Sequence, residues 1–255
     1  MKLLSIALLA TAVACQGVKS PPSVNANLGA VSQYNFRGVP QNEKGAVQSD
    51  LGVSLPTDNE GTLSINVWSN WDLSNDSGDA VLPSGNGGKL SEIDLTGSWS
   101  KDIGGMAFEV GLISYNFPNA AGGSTTEIFA SFGWDKWGLS PGFTLYHDFD
   151  QVDGSYLNGS ISKSFTIDES TSADLSLGLG FTDKDHASAY YGAAESGLSD
   201  LLVTGSVGHQ YNERTSVSAF LSISQILDSG LEDAVEAAGM EAGNTWAGVS
   251  VGWSF

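Results

Sequence analysis

The chain has 255 residues, a length that suits one domain, and carries 29 acidic against 10 basic side chains for a formal net charge of −19. That balance excludes nucleic-acid partners, whose phosphates need clustered lysine and arginine, and simple electrostatic attachment to anionic lipid. Its 32 Gly, 7 Trp, 7 Tyr and 11 Phe predict a β-rich chain, and its single cysteine excludes an intramolecular disulfide.

In chain order, Met1-Lys-Leu-Leu-Ser-Ile-Ala-Leu-Leu-Ala-Thr-Ala-Val-Ala14 joins a positive start to a short apolar run with small residues at its end. This predicts an export signal over residues 1–14, too short to be a permanent membrane helix. Two processing routes fit it. Ala12-Val13-Ala14 suits signal peptidase, whereas Leu9 to Cys15 suits a lipoprotein box with Cys15 as the lipidated residue. Residues 15–23 then read as a short periplasmic linker, and 24–255 as a single domain with no further run apolar enough for a membrane helix.

From residue 24 onward the chain breaks into about twelve runs of roughly 10–13 residues with period-two alternation, the length of tilted membrane strands. The first, residues 24–38, sets Val24, Ala26, Leu28, Ala30, Tyr34 and Phe36 against Asn25, Asn27, Gln33, Asn35 and Arg37. Val47, Leu51, Val53 and Leu55 then alternate with Gln48, Asp50 and Ser54, and Leu63, Ile65, Val67 and Trp71 with Asn66, Trp68, Asn70 and Asp72. Glu92 and Asp94, Glu109, and Glu127 are each flanked by aliphatic or aromatic neighbours, and the scheme recurs to the end of the chain. In the last run Ala247, Val249, Val251, Trp253 and Phe255 share one face, and Gly248, Ser250, Gly252 and Ser254 the other. Such a strand, apolar toward lipid and small or polar toward a lumen, resembles the C-terminal signal by which bacterial outer-membrane barrels are recognised for assembly.

The connections sort by parity. Those at 56–61, 101–105, 135–138, 167–171 and 212–215 are short, while 74–88, 183–197 and 227–243 are long. A barrel with short periplasmic turns and long extracellular loops has this asymmetry, and a soluble sandwich has no reason for it. Residues 227–243 read as a solvated acidic loop, with a short helix around 231–238. The aromatics sort by height as well. Tyr34, Phe36, Trp71 and Phe149 fall near the outer strand ends, and Trp99, Phe108, Trp134, Phe165, Tyr211, Trp253 and Phe255 near the inner ones, as interfacial girdles do.

The predicted fold is therefore all-β, an antiparallel transmembrane barrel of about twelve strands in the outer membrane. Arg37, Asp50, Asp72, Glu92, Asp94, Glu109, Glu127, Asp148, Asp174 and Asp200 fall on its non-lipid face. Carboxylates around an aqueous pore attract cations, which predicts a passive channel for small neutral or cationic solutes. The other reading has the same carboxylates paired with Arg37 and hydrogen-bonded to Tyr146, Tyr156, Asn66 and Asn70, closing a non-conducting structural interior. Arg37 reads as an ion-pair anchor rather than a gate, because a lone buried guanidinium needs carboxylate partners. Lys163 falls on the lipid side by strict alternation.

Enzyme chemistry, metals and cofactors find no support in the residues. His147 and His209 fall on the apolar face near opposite rims, and His186 in a loop, so none is placed as a general base. Residues 148–154 place their third acid one position late for a calcium loop, and Asn75-Asp-Ser-Gly-Asp79 reads as a turn. The partners expected are outer-membrane lipid and lipopolysaccharide, the assembly machinery through the strand ending at Phe255, and small solutes.

Val31-Ser-Gln-Tyr-Asn-Phe-Arg-Gly-Val39 followed by Ala46-Val47-Gln48 resembles the opening strand and hairpin of the TorF-type porins, proteobacterial outer-membrane proteins also grouped as a conserved hypothetical family. Trp68-Ser-Asn70, Glu92-Ile-Asp-Leu95, Gly111-Leu-Ile-Ser-Tyr-Asn-Phe-Pro118, Thr126-Glu127 and the stretch from Asp148 to Phe165 continue the likeness. The resemblance implies an outer-membrane barrel. The acidic stretch at 227–243 departs from it.

Overall fold

Alternation of aliphatic and small polar residues makes each strand two-faced, and closure into a barrel leaves no unpaired strand edge. The computed structural model describes residues 21–57, 61–74, 87–119 and 123–255. The barrel strands are β1 (Ser23–Val31), β4 (Ala46–Pro56), β5 (Thr62–Asp72), β6 (Leu90–Ile103), β7 (Met106–Asn116), β8 (Thr125–Trp134) and β9 (Ser140–Asp148), continuing as β10 (Ser155–Thr166), β11 (Thr171–Thr182), β12 (Gly197–Asn212), β13 (Thr215–Ile226) and β14 (Gly243–Ser254). All twelve pair antiparallel with their neighbours, and β1 closes the ring between β14 and β4.

Register confirms the two faces. Leu28, Val251 and Val217 align, as do Ala30, Val249 and Ala219, and Leu157 with Phe181. These rows leave Leu28, Leu51, Leu145, Leu175, Leu221 and Val249 exposed on the outside of an isolated chain. An apolar belt of this extent belongs against hydrocarbon rather than water. Inward rows carry Asn27, Asp50, Trp68 and Asp94 in one register, and the Ser218–Ser250 and Thr204–Ser222 hydroxyl pairs, each 2.8 Å apart, in others. Lys163 faces outward opposite Leu175, its ammonium 5.3 Å from the Phe165 ring.

Connections sort as the sequence predicts. The five short turns lie at one end, one of them the two-residue Gly104-Gly105, with φ +65° and +82° as a type I′ hairpin turn requires. The opposite end carries the longer excursions, among them helix α1 (Lys184–Tyr190) and helix α2 (Ser229–Ala237). Residues 1–20, which include the expected export signal and Cys15, lie outside the described residues, as do residues 75–79, expected as a turn.

Three expectations need correction. The first run is not one strand to residue 38. β1 ends at Val31, and the chain turns inward as a hairpin of β2 (Tyr34–Phe36) and β3 (Val39–Asn42) before β4 returns to the wall. Tyr34 and Phe36 therefore belong to no outer girdle: Tyr34 is buried against Trp68, and the half-buried Phe36 packs edge-on to Tyr115. Residues 227–243 are not simply a solvated loop either. Leu231 and Val235 of α2 are fully buried with Val39, Ala187, Tyr191, Ile226, Met240 and Ala242, which together form an apolar cap under the long-loop end. Lastly, His186 sits in a helix rather than a loop, α1 being started by Asp183, whose carboxylate accepts from the His186 N–H as an N-cap.

Candidate functional site

The β2–β3 hairpin reaches across the whole lumen. It leaves the wall between β1 and β4, and its tip meets β8, β9 and β10. Four strands separate β4 from β9 on one side, and four separate β10 from β1 on the other, so root and tip are diametrically opposed. Gln33 anchors the root by donating to Asn244 at 2.6 Å.

Arg37 and Gly38 make the tip, with φ of +50° and +84°. Glycine takes that backbone freely. An arginine there is strained, at a cost of roughly 1–2 kcal/mol. What holds it is the side chain. Arg37 Nη1 donates to Glu127 Oε1 at 2.8 Å and Nη2 to Oε2 at 2.7 Å, a bidentate fork almost wholly removed from solvent. Its guanidinium carbon lies 4.5 Å from the Tyr156 ring, 4.7 Å from Tyr146 and 4.7 Å from Phe36. Tyr115 donates its hydroxyl to Glu127 Oε2 at 2.9 Å, and Tyr191 donates to the Arg37 carbonyl at 2.7 Å.

His186 completes the cage. Its Nε2 lies 2.7 Å from Arg37 Nη1, and because a guanidinium can only donate, Nε2 must accept. The proton then sits on Nδ1, directed at the Thr182 hydroxyl 2.7 Å away. Burial, and secondarily the facing Arg37 charge, push the His186 imidazole down to about 2, so it stays neutral. Burial acts to lower the Arg37 pKa too, but the Glu127 carboxylate more than offsets it and raises the net value.

The expected lumen carboxylates face inward but form no single ring. Asp72, Glu92, Glu127, Asp148 and Asp200 are buried at the long-loop end, each tied to neighbours. Asp72 accepts from Asn70 and Ser91, and Asp200 from Tyr156, Tyr191 and Ser199. Glu92 lies within hydrogen-bond reach of Tyr34 and Asp94. Asp148 accepts from Thr125 and, through Oδ1, from the N–H groups of Asp150, Gln151 and Val152, a turn motif that explains the resemblance of residues 148–154 to a calcium loop. Among the described residues no acid or histidine cluster has metal-holding geometry. Asp50, Asp94, Glu109 and Asp174 are only half-buried, at other heights, with Asp50 accepting from Asn66 at 2.7 Å and Asp174 from Ser164. Beneath the hairpin a cavity of about 140 Å³ is bordered by Asn27, Asp50, Trp68, Phe220 and Ser250.

The remaining histidines stay outside. His147 pairs with Ser155 at 3.1 Å and lies 3.8 Å from Asp153, whose side chain is 91% exposed, too loose and wet to orient a base. His209 meets Thr171 at the short-turn rim. Sequence reasoning found Arg37 and Glu127 but missed Phe36, Tyr115, Tyr146, Tyr156 and His186 as one cage. The available signal was the Asp183 N-cap, which marks a helix start just before His186.

Comparison with known proteins bears on the family and the fold. The model of a family described as "Bacterial protein of unknown function (Gcw_chp)" matches residues 15–235. No curated protein sequence matches the chain. Among solved structures, an outer membrane channel from Pseudomonas putida F1 is similar, with a TM-score of 0.59 and 9% identity over 94% of this chain and 97% of that one. The translocator domain of the autotransporter NalP from Neisseria meningitidis gives 0.51 at 10% identity, over 100% of this chain and 95% of the other. The NanC porin gives 0.50 at 10% identity, over 90% and 98%. At such identities the likeness establishes the barrel fold.

Proposed function

Because the chain belongs to the Gcw_chp family of bacterial proteins of unknown function, its role has to be read from its own geometry, and we propose that it is an outer-membrane channel for small solutes that rests closed. The supporting observation is the contrast between the two halves of the lumen. Toward the short turns the inward rows carry Ser, Gly, Asn and the half-buried Glu109 and Asp174, the lining of a wet space. Toward the long loops the hairpin and the helix cap fill the section with side chains. In this reading the short turns are periplasmic, the apolar belt meets outer-membrane lipid, the rim acids face lipopolysaccharide, and the strand ending at Phe255 engages the assembly machinery. The resemblance of residues 31–39 to the TorF-type porins, and the similar barrel from Pseudomonas putida F1 described as an outer membrane channel, favour it.

Solutes would be neutral or cationic, because Asp50, Asp94, Glu109 and Asp174 outnumber any cation inside the barrel among the described residues. No chemical step is involved. Planar-bilayer recording of the refolded full chain tests the reading. We expect discrete openings with a reversal potential on the cation side, moved toward zero by Asp50→Asn with Glu109→Gln. A reversal potential unmoved by that pair removes them from the pore.

A second reading, a non-conducting structural barrel, is favoured by the burial of five carboxylates with their partners at the long-loop end. A barrel that stays silent in bilayers even when residues 34–41 are replaced by a Gly-Ser linker would establish it.

A further inference from the structure

The lock on the hairpin tip is built like a ligand site. Glu127 offers two parallel acceptors to a planar fork, Tyr146 and Tyr156 offer ring faces within 4.7 Å, and neutral His186 offers a third acceptor. An ammonium cannot use the bidentate edge or stack in this way, so the geometry selects a guanidinium. Glu127 is itself positioned from behind by the Tyr115 hydroxyl. Apart from Phe36 of the hairpin and His186 and Tyr190 of α1, the residues around the guanidinium, Tyr115, Glu127, Tyr146 and Tyr156, belong to wall strands β7 to β10 and stay in place if the hairpin leaves.

We propose that Glu127, Tyr115, Tyr146, Tyr156 and His186 form a guanidinium-binding site filled in cis by Arg37, and that emptying it releases the hairpin and opens the lumen. This rests on the channel reading. The tip itself argues for an occupied site rather than a passive turn. A type I′ position ordinarily carries Asn or Gly, yet here a long side chain is held at φ +50°, a conformation that the side-chain contacts must sustain. Once the fork is lost, the strained turn keeps only the Tyr191 hydrogen bond to its carbonyl and the packing of Tyr34, Phe36 and Val39. Because Arg37 is tethered, its effective concentration at the site is on the order of millimolar or higher, and free guanidinium competes poorly with it. The site becomes accessible once that side chain is removed.

Arg37→Gly removes the occupant while keeping a residue that accepts φ +50°. In planar bilayers the refolded Arg37→Gly chain should conduct several-fold more than the wild type. Methylguanidinium, which has no bond to the hairpin, should fill the vacated site without reclosing the lumen. At millimolar concentration it should raise the unfolding temperature of Arg37→Gly and leave that of the wild type unmoved, whereas methylammonium at equal concentration should stabilise neither. Adding Glu127→Gln should abolish the stabilisation. If methylguanidinium does not stabilise Arg37→Gly, the site is refuted. The 34–41 linker variant separates the two ideas. If it conducts while Arg37→Gly stays at the wild-type level, the lock fails alone, and if it too is silent, the channel reading falls.

Discussion

Breaking one half of a buried ion pair is far more damaging than removing both, and the Arg37–Glu127 pair lets this be measured. Side-chain exposures of 6% and 1% leave almost no solvent to compensate a lost partner. Glu127→Ala would strand a guanidinium whose remaining acceptor is the His186 ring, at a cost of about 3–5 kcal/mol. Arg37→Met should cost less, about 2–3 kcal/mol, because Glu127 keeps the Tyr115 hydroxyl and the new side chain still fills the aromatic cage. The double variant removes both charges and should be less destabilised than the sum of the two by about 2–3 kcal/mol. Urea unfolding of the refolded barrel in lipid vesicles, followed by tryptophan fluorescence and gel mobility without boiling, gives the three values. A coupling energy within about 0.5 kcal/mol of zero would refute the claim that the pair acts as a unit.

Other perturbations follow from the same layer. At Gly154 a Cβ would come within 2.3 Å of the His186 backbone nitrogen. Gly154→Ala should therefore push α1 off the wall and cost about 1–3 kcal/mol in the same unfolding assay. Gly38→Ala combines φ +84° with a Cβ 2.7 Å from that of Asp200, and should lower the unfolding temperature at least as much as Arg37→Gly does. His186 is packed against Arg37, Thr182, Tyr156, Tyr190 and Tyr191, and its folded pKa of about 2 lies below the ordinary imidazole value of 6.5. Between those values the unfolded chain binds one more proton, so stability from this group is complete above about pH 6.5 and is lost on acidification, by about 1.4 kcal/mol per pH unit. Unfolding midpoints at pH 7.5 and 5.5 should differ less in His186→Gln than in the wild type, and an equal difference would remove His186 from the account.

The barrel wall was legible because lipid on one side and a hollow on the other impose alternation on every strand, from Leu28 to Val249. Loop parity then gave its two ends. What alternation could not reveal is where a strand leaves the wall. Tyr34-Asn35-Phe36 keeps the period of β1 and carries girdle-type aromatics, so nothing local distinguishes a hairpin crossing the lumen from two more wall residues. Arg37 and Glu127 were both assigned inward, and a carboxylate partner for Arg37 followed from the needs of a lone guanidinium, but the choice of Glu127 and the cage needed the fold to join β8, β9, β10 and α1. Height was equally hidden. Glu127 and Glu109 lie on inward faces of adjacent strands, yet one is fully buried and the other half-buried, because only one meets the hairpin layer. α2 was partly visible in Leu231-Glu-Asp-Ala-Val-Glu-Ala237, whereas its buried Leu231 and Val235 required the cap residues from distant loops.

Spin labels placed one at a time along β14 and β11, in a Cys15→Ser background refolded into lipid vesicles, test the membrane barrel most directly. At Val249, Val251, Leu175 and Leu177, collisions with dissolved oxygen should dominate. A water-soluble nickel chelate should instead reach Ser250, Gly252, Asp174 and Ser176. Accessibility that fails to alternate with period two, or chelate access to the aliphatic row, would contradict the account.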